Sequence, residues 1–180
     1  KKVRTYAIGA ETTDLSTLYM NNSLYCTSKL VYENLVDFDN GEIVPGLAES
    51  WEYNDDQTEL TFHLRQGVKF HDGSDLTVED VKWSLDRAIA SNYVNYIVSF
   101  IESVEITGDN TIVIHCAEPY APILNNLSMP FSAIVPKAYI ETNGDEYFSQ
   151  HPIGSGPYKM VEWNPSDSVK LEAFDEYFMG

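Results

Sequence analysis

The sequence predicts a mixed α/β fold, and three stretches point to it. Residues 60–65 alternate strictly, with Leu60, Phe62 and Leu64 on one face and Thr61, His63 and Arg65 on the other, the period of a half-buried strand. Thr77 opens a helix: Thr77 and Asp80 stand at capping-box spacing, with Asp in place of the longer Glu, and Val81, Leu85, Ala88 and Ile89 form an apolar stripe. Residues 101–106 and 111–116 are strands joined by Gly108-Asp109-Asn110, a hairpin signal. Hairpins beside helical crossovers favour an α/β or α+β assembly over a doubly wound parallel sheet.

The remaining elements follow in order. Residues 3–8 form a short strand, and a polar loop leads to a helix from about Ser23, with Asn22 or Ser23 as N-cap and Leu24, Val31 and Leu35 at helical spacing. Residues 37–42 end that helix, and Asn40-Gly41 is a turn signal. Val68-Lys69-Phe70 resumes a strand after Gly67. Pro122 opens a short helix over 123–127, residues 133–135 form a strand, and residues 136–142 form another short helix. Gly154-Ser155-Gly156-Pro157 is a tight loop before strands at 158–163 and 169–173.

Composition narrows the function. Eleven basic against 28 acidic residues give a net charge of −17, which argues against nucleic acid and against an anionic membrane surface, since both need clustered Lys and Arg. No run of apolar residues is long enough to span a membrane. The Lys1-Lys2-Val3-Arg4 start shows no leader, as expected of a processed exported chain and of a cytosolic one alike. Cys26 and Cys116 make no CxxC motif, and their spacing leaves open whether they are two thiols or one disulfide.

Catalytic chemistry finds no footing. His63, His71, His115 and His151 lack metal-ligand spacing, and His63 is expected on the solvent side of its strand. Residues 37–48 begin like a calcium loop but carry Glu42 where Gly is required and Ala48 where a bidentate Glu is required. Gly154-Ser155-Gly156 is followed by proline, leaving no helix N-terminus to hold a phosphate. No nucleophile elbow is present. No metal or cofactor is therefore expected, and no catalytic residue. A hydrolase acting on peptides or glycans is the rival reading, without a motif to support it.

Binding chemistry is better served. Met20 and Asn22 precede the first helix, Tyr93 and Tyr96 follow the capped one, and Met129 stands before Pro130. Aromatic faces with polar tips suit a cleft that holds a ligand without reacting with it, although Tyr93 and Tyr96 could equally cover the core.

Five blocks then occur in one order along the chain: Ala48 through Trp51 and Asp56 to Leu60-Thr61-Phe62-His63-Leu64-Arg65; Gly67-Val68-Lys69-Phe70-His71-Asp72-Gly73 with Leu76-Thr77-Val78-Glu79-Asp80-Val81; Ile101-Glu102-Ser103-Val104-Glu105 with Glu118-Pro119-Tyr120-Ala121-Pro122; Pro152-Ile153-Gly154-Ser155-Gly156-Pro157-Tyr158; and Phe174-Asp175-Glu176-Tyr177-Phe178. Together they resemble the family 5 extracytoplasmic solute-binding proteins, the peptide- and nickel-binding components of ABC transporters. Residues 13–18 match only loosely the Ser-Leu-Asp-Pro element usual in that family.

The resemblance implies a fold like the class II periplasmic binding proteins, of which this chain would be a fragment. Residues 1–36 and 152–180 would belong to the first lobe, residues 37–151 would be an inserted α/β subdomain, and a second lobe would follow. It further implies a monomer outside the cytoplasm, periplasmic or lipid-anchored. That monomer would capture a peptide, or another solute such as nickel, haem or an oligosaccharide, and deliver it to a membrane permease. Met20, Asn22, Tyr93, Tyr96 and Met129 would be the ligand-binding residues on this chain, and the resemblance favours the cleft over the core for the two tyrosines.

Overall fold

In the computed structural model, residues 22–164 and 167–180 are described, with the side chains of 22–26 left aside. At the centre is a four-stranded antiparallel sheet in the order β3-β4-β6-β5, formed by β3 Ala48–Tyr53, β4 Glu59–Leu64, β5 Ile101–Gly108 and β6 Thr111–Cys116. Alternation decides its faces. Leu60, Phe62, Leu64, Ile112, Ile114 and Cys116 are buried, while Thr61, His63, Val113 and His115 lie on the wetter face. Each large side chain buried in this way stabilises the fold by roughly 1.5–3 kcal/mol.

Helix α2, Val78–Ala90, covers the inner face with Val81, Leu85 and Ala88. Its start is the expected capping box, in which the Thr77 hydroxyl accepts from the Asp80 N–H and the Asp80 carboxylate accepts from the Thr77 N–H at 2.9 Å. The shorter Asp side chain suffices. Its other oxygen accepts from the Lys137 N–H at 2.9 Å, so the cap also docks a distant segment.

A second apolar cluster, Val31, Tyr32, Ala133, Val135, Ile140 and Phe148, joins the end of α1 Asn22–Val31 to α5 Lys137–Asn143 and α6 Asp145–Gln150. Two hairpins flank the whole: β1 Val36–Asp39 with β2 Glu42–Pro45, and β7 Tyr158–Asn164 with β8 Ser168–Ala173.

The sequence expectations hold for β4, α2, the β5–β6 hairpin, α4 Ile123–Leu127, α5 and the last two strands. They differ elsewhere for local reasons. Helix α1 ends at Val31 instead of continuing through Leu35, because residues 34–35 pair with residues 46–48 through Leu47 N–H to Asn34 O and Ala48 N–H to Leu35 O, both 2.9 Å. Asn40 and Gly41, with φ of 50° and 92°, turn a hairpin whose strands the sequence did not reveal. Residues 68–70 and 133–135 form single bridges, Lys69 with Asp75 and Glu33 with Ile134, not strands. Short helices at Asn95–Val98 (α3) and Asp145–Gln150, and a 3-10 turn at Pro130–Ser132, were not anticipated. The strand expected at 3–8 lies outside the described residues.

The loop at 154–156 is held by close packing of backbone on backbone. A Cβ on Gly154 would lie 2.0 Å from the Val31 carbonyl oxygen, and one on Gly156 would lie 2.7 Å from that of Leu30, so only glycine fits at either place. Gly156 N–H donates to Val31 O at 2.9 Å.

A candidate solute-facing rim

The rim begins where α2 stops. Ser91 takes extended backbone, and its hydroxyl accepts from the N–H groups of Tyr93 and Val94 at 3.1 and 3.4 Å. That turn sends Val94, Ile97 and Val98 into the core and leaves Tyr93 and Tyr96 outside, 60% and 58% exposed. The two tyrosines therefore do not act as core cover.

Asn126 ties this segment to the next. Its side-chain amide donates to Ile97 O at 2.7 Å and to the Tyr120 hydroxyl at 3.3 Å, while its backbone carbonyl accepts from Met129 N–H at 3.1 Å. Tyr120 stacks on Phe100 with ring centroids 4.6 Å apart. Behind the turn, the Asn34 amide donates to Leu127 O at 3.0 Å and to Met129 O at 2.7 Å. Lys29 donates to Ser128 O at 3.1 Å and is paired with Asp37. Two buried or half-buried asparagines thus fix Tyr96 and Met129 in one frame, with Met129 39% exposed.

Of the five residues singled out from sequence, Tyr96 and Met129 are joined through Asn126, and Tyr93 lies on the same segment as Tyr96. Asn22 is the first residue of α1, with its side chain outside the description, and Met20 lies outside the described residues. Asn34, Asn126, Tyr120 and Phe100 were missed. Tyr120 stood in a quoted block, but nothing in a linear pattern shows that its ring lies on Phe100.

Two titratable groups lie behind the rim. Glu33, only 8% exposed, accepts from the Tyr177 hydroxyl at 2.8 Å. Burial pushes its carboxyl up to about 7. The Tyr177 hydrogen bond opposes this, nearby Asp37 adds to it and Lys29 opposes it. Burial and the neighbouring Glu33 push the Tyr177 phenol upward in turn. Arg65 lies over the Phe178 ring, 5.6 Å from its centroid, so residues 177–178 are held on both sides.

His71 clamps the glycine loop. Its Nε2 donates to Gly156 O at 2.9 Å, and its Nδ1 accepts from Gly154 N–H at 3.3 Å, which fixes one neutral tautomer. Burial holds its pKa below the usual histidine value; the Gly156 bond and Asp72 oppose that shift, and Lys159 reinforces it.

Among the described residues, no group of three His, Cys, Asp or Glu is placed to hold a metal. His63 is half-exposed opposite Leu60, Phe62 and Leu64 as expected and stands 3.6 Å from Glu52, while His115 lies 3.3 Å from both Glu59 and Glu105. Cys116 is a buried free thiol. A groove of about 540 Å³ is lined by Leu64, Arg65, Thr77, Glu79, Ile106 and Asn110. It meets the N-terminal end of α2, roughly 20 Å of helix from the rim, and contains none of the candidate residues.

The model of the bacterial extracellular solute-binding proteins, family 5 Middle, matches residues 42–180. The chain belongs to this family. It is 36% identical over 179 residues to the glutathione-binding protein GsiB of Pectobacterium atrosepticum, covering 96% of this chain and 34% of the relative. Its identity to the dipeptide-binding protein of Escherichia coli K12 is 32% over 188 residues, covering 89% and 35%. Among solved structures it resembles the Helicobacter pylori periplasmic binding protein DppA in complex with the peptide STSA, with a TM-score of 0.87 and 30% identity over 94% of this chain and 38% of that one. It is also similar to AgaA of A. tumefaciens R10 in complex with agropinic acid, with a TM-score of 0.86 and 33% identity over 93% and 35%. The chain therefore spans about a third of the length of the curated relatives it matches. The family 5 resemblance drawn from the five blocks is correct, and so is the fold expected from it, part of a larger periplasmic-binding-protein type.

Proposed function

We propose that the whole protein is the substrate-binding component of an ABC importer, which captures dipeptides or oligopeptides outside the cytoplasm and delivers them to a membrane permease. The observation that carries this reading is the rim itself. Exposed tyrosines and a methionine stand on segments that the Asn126 and Asn34 side chains tie together at Ile97 O and Met129 O, and among the described residues no group of three His, Cys, Asp or Glu is placed to hold a metal. Two relatives named for glutathione and for a dipeptide, and a structural neighbour holding a peptide, support a peptide-like solute.

In this reading Met20, Asn22, Tyr93, Tyr96 and Met129 form one wall of the cleft. Residues 37–151 are an inserted subdomain, and residues 1–36 with 152–180 are parts of the first lobe. The two lobes close on the solute by a hinge motion, as a monomer, in the periplasm or lipid-anchored at the outer face of the membrane. Extended peptides are held chiefly through their main chain, so one wall alone binds weakly.

Calorimetry of the full-length protein against glutathione and a set of dipeptides tests the reading, and micromolar binding of at least one is expected. Absence of binding to all of them would sink the peptide assignment, and saturable cleavage would sink the non-enzymatic one. Because a neighbour holds agropinic acid, a small non-peptide solute is the second reading. Mass spectrometry of the solute that co-purifies with the full-length protein decides between them.

A further inference from the structure

The two segments that build the rim share a property that sets them apart in this strongly acidic chain. Between Arg87 and Glu102, and again between Glu118 and Lys137, there is no Asp, Glu, Lys, Arg or His, whereas the chain as a whole carries a net charge of −17. These stretches bring Tyr93, Tyr96, Phe100, Tyr120 and Met129 to the surface or near it, and their polar atoms there are amides and hydroxyls. Lys29 approaches the back of the turn, but its ammonium is paired with Asp37 and bonded to Ser128 O.

We infer that this uncharged rim is a specificity-determining subsite, which accepts a neutral or aromatic side chain of the solute and rejects an anionic one. The inference rests on the peptide reading above and names what one subsite of that cleft selects. A carboxylate set against these two segments would lose water and gain no cation from them, because their aromatic faces and amide tips cannot replace its hydration. It would also enter the field of a chain with excess negative charge. A phenyl ring, by contrast, gains contact with Tyr and Met side chains. A primary amide of the same shape as the carboxylate can find hydrogen bonds without the cost of its charge.

The test is calorimetry of the full-length protein with tri-alanine peptides carrying Phe, Gln or Glu at each of the three positions. At one position, Phe and Gln peptides should bind while the Glu peptide binds at least tenfold more weakly than Gln. Met129→Lys, which places a cation on the rim with little change of length, should bring Glu within threefold of Gln at that position alone. Tyr96→Lys should do the same from the neighbouring segment, and Met129→Leu should leave the gap intact. Glu and Gln binding within twofold at every position would overturn the inference while leaving the peptide reading standing. So would a gap that both lysine variants leave unchanged. Failure of every peptide to bind would instead remove the peptide reading, and this subsite assignment with it.

Discussion

The sheet covered by α2 and the rim that follows it use neighbouring stretches of chain in opposite ways. In the sheet, Phe62, Ile112 and Ile114 are fully buried and the wetter face carries Glu59, His63 and His115. On the rim segments, charge disappears and Tyr93, Tyr96 and Met129 stand exposed, while Asn126 and Asn34 bond the backbone carbonyls of the neighbouring Ile97 and of Met129. The first arrangement lowers the energy of the fold by hiding apolar area. The second leaves apolar area exposed beside backbone fixed by hydrogen bonds, which is the arrangement that the proposed binding role calls for.

The contrast is sharpest under truncation. Phe62→Ala should cost the full-length protein about 3–5 kcal/mol of stability by chemical denaturation, the usual range for an emptied aromatic core site. Tyr96→Ala should cost less than about 1 kcal/mol, because the ring is already largely in water. Its solute affinity should nonetheless fall at least tenfold in the calorimetric assay. Comparable stability losses for the two variants would erase the distinction between the regions.

The backing of the rim should also respond to pH through Glu33. In the unfolded chain its carboxyl ionises near the ordinary glutamate value of 4.5, and in the folded protein at about 7. Below 4.5 both states hold the proton and Glu33 costs nothing. As pH rises from 4.5 through 7, the unfolded state ionises first, and stability falls by on the order of 3 kcal/mol. His71 acts in the other direction. Its folded pKa is lowered, so its contribution is present above the unfolded value of 6.5 and is lost as pH falls through the folded one. Denaturation of wild type and Glu33→Gln at pH 5 and pH 8 separates the two. The glutamine variant should gain relative to wild type on going to the higher pH, and a constant difference would refute the assignment.

A smaller effect is expected at the start of α2. Thr77→Ala should cost about 1 kcal/mol, since it removes one half of the capping box. Solute affinity should not change, because the cap sits at the far end of the helix from the rim.

Much of this architecture could be read from the sequence because the relevant forces act over a few residues. The alternation of Leu60, Phe62 and Leu64 fixes which face of β4 is buried, and Thr77 with Asp80 fixes where α2 begins. The five ordered blocks were enough to place the chain in its family. The reading failed where distant segments decide. Leu35 follows Val31 at helical spacing, yet hydrogen bonds to residues 46–48 pull its backbone out of the helix. Glu33 looks like an ordinary surface carboxyl; the burial of Val31, Tyr32, Leu35 and Val36 around it was the available clue. Tyr93, Tyr96 and Met129 were singled out, but the asparagines that hold the rim together were not, because the backbone carbonyls that their amides bond lie 29 and more residues away.

The crossing of residues 154–156 over the end of α1 has a mechanical consequence. Backbone meets backbone there with the Tyr32 ring packed alongside, and His71 clamps the loop through Gly154 and Gly156. Such a joint behaves as a weld and not as a bearing: it has no soft layer to shear and no spare volume to slide into. When this part of the molecule is loaded, α1, the loop and the turn carrying His71 should move as one stiff piece, and any bending must fall to segments beyond it.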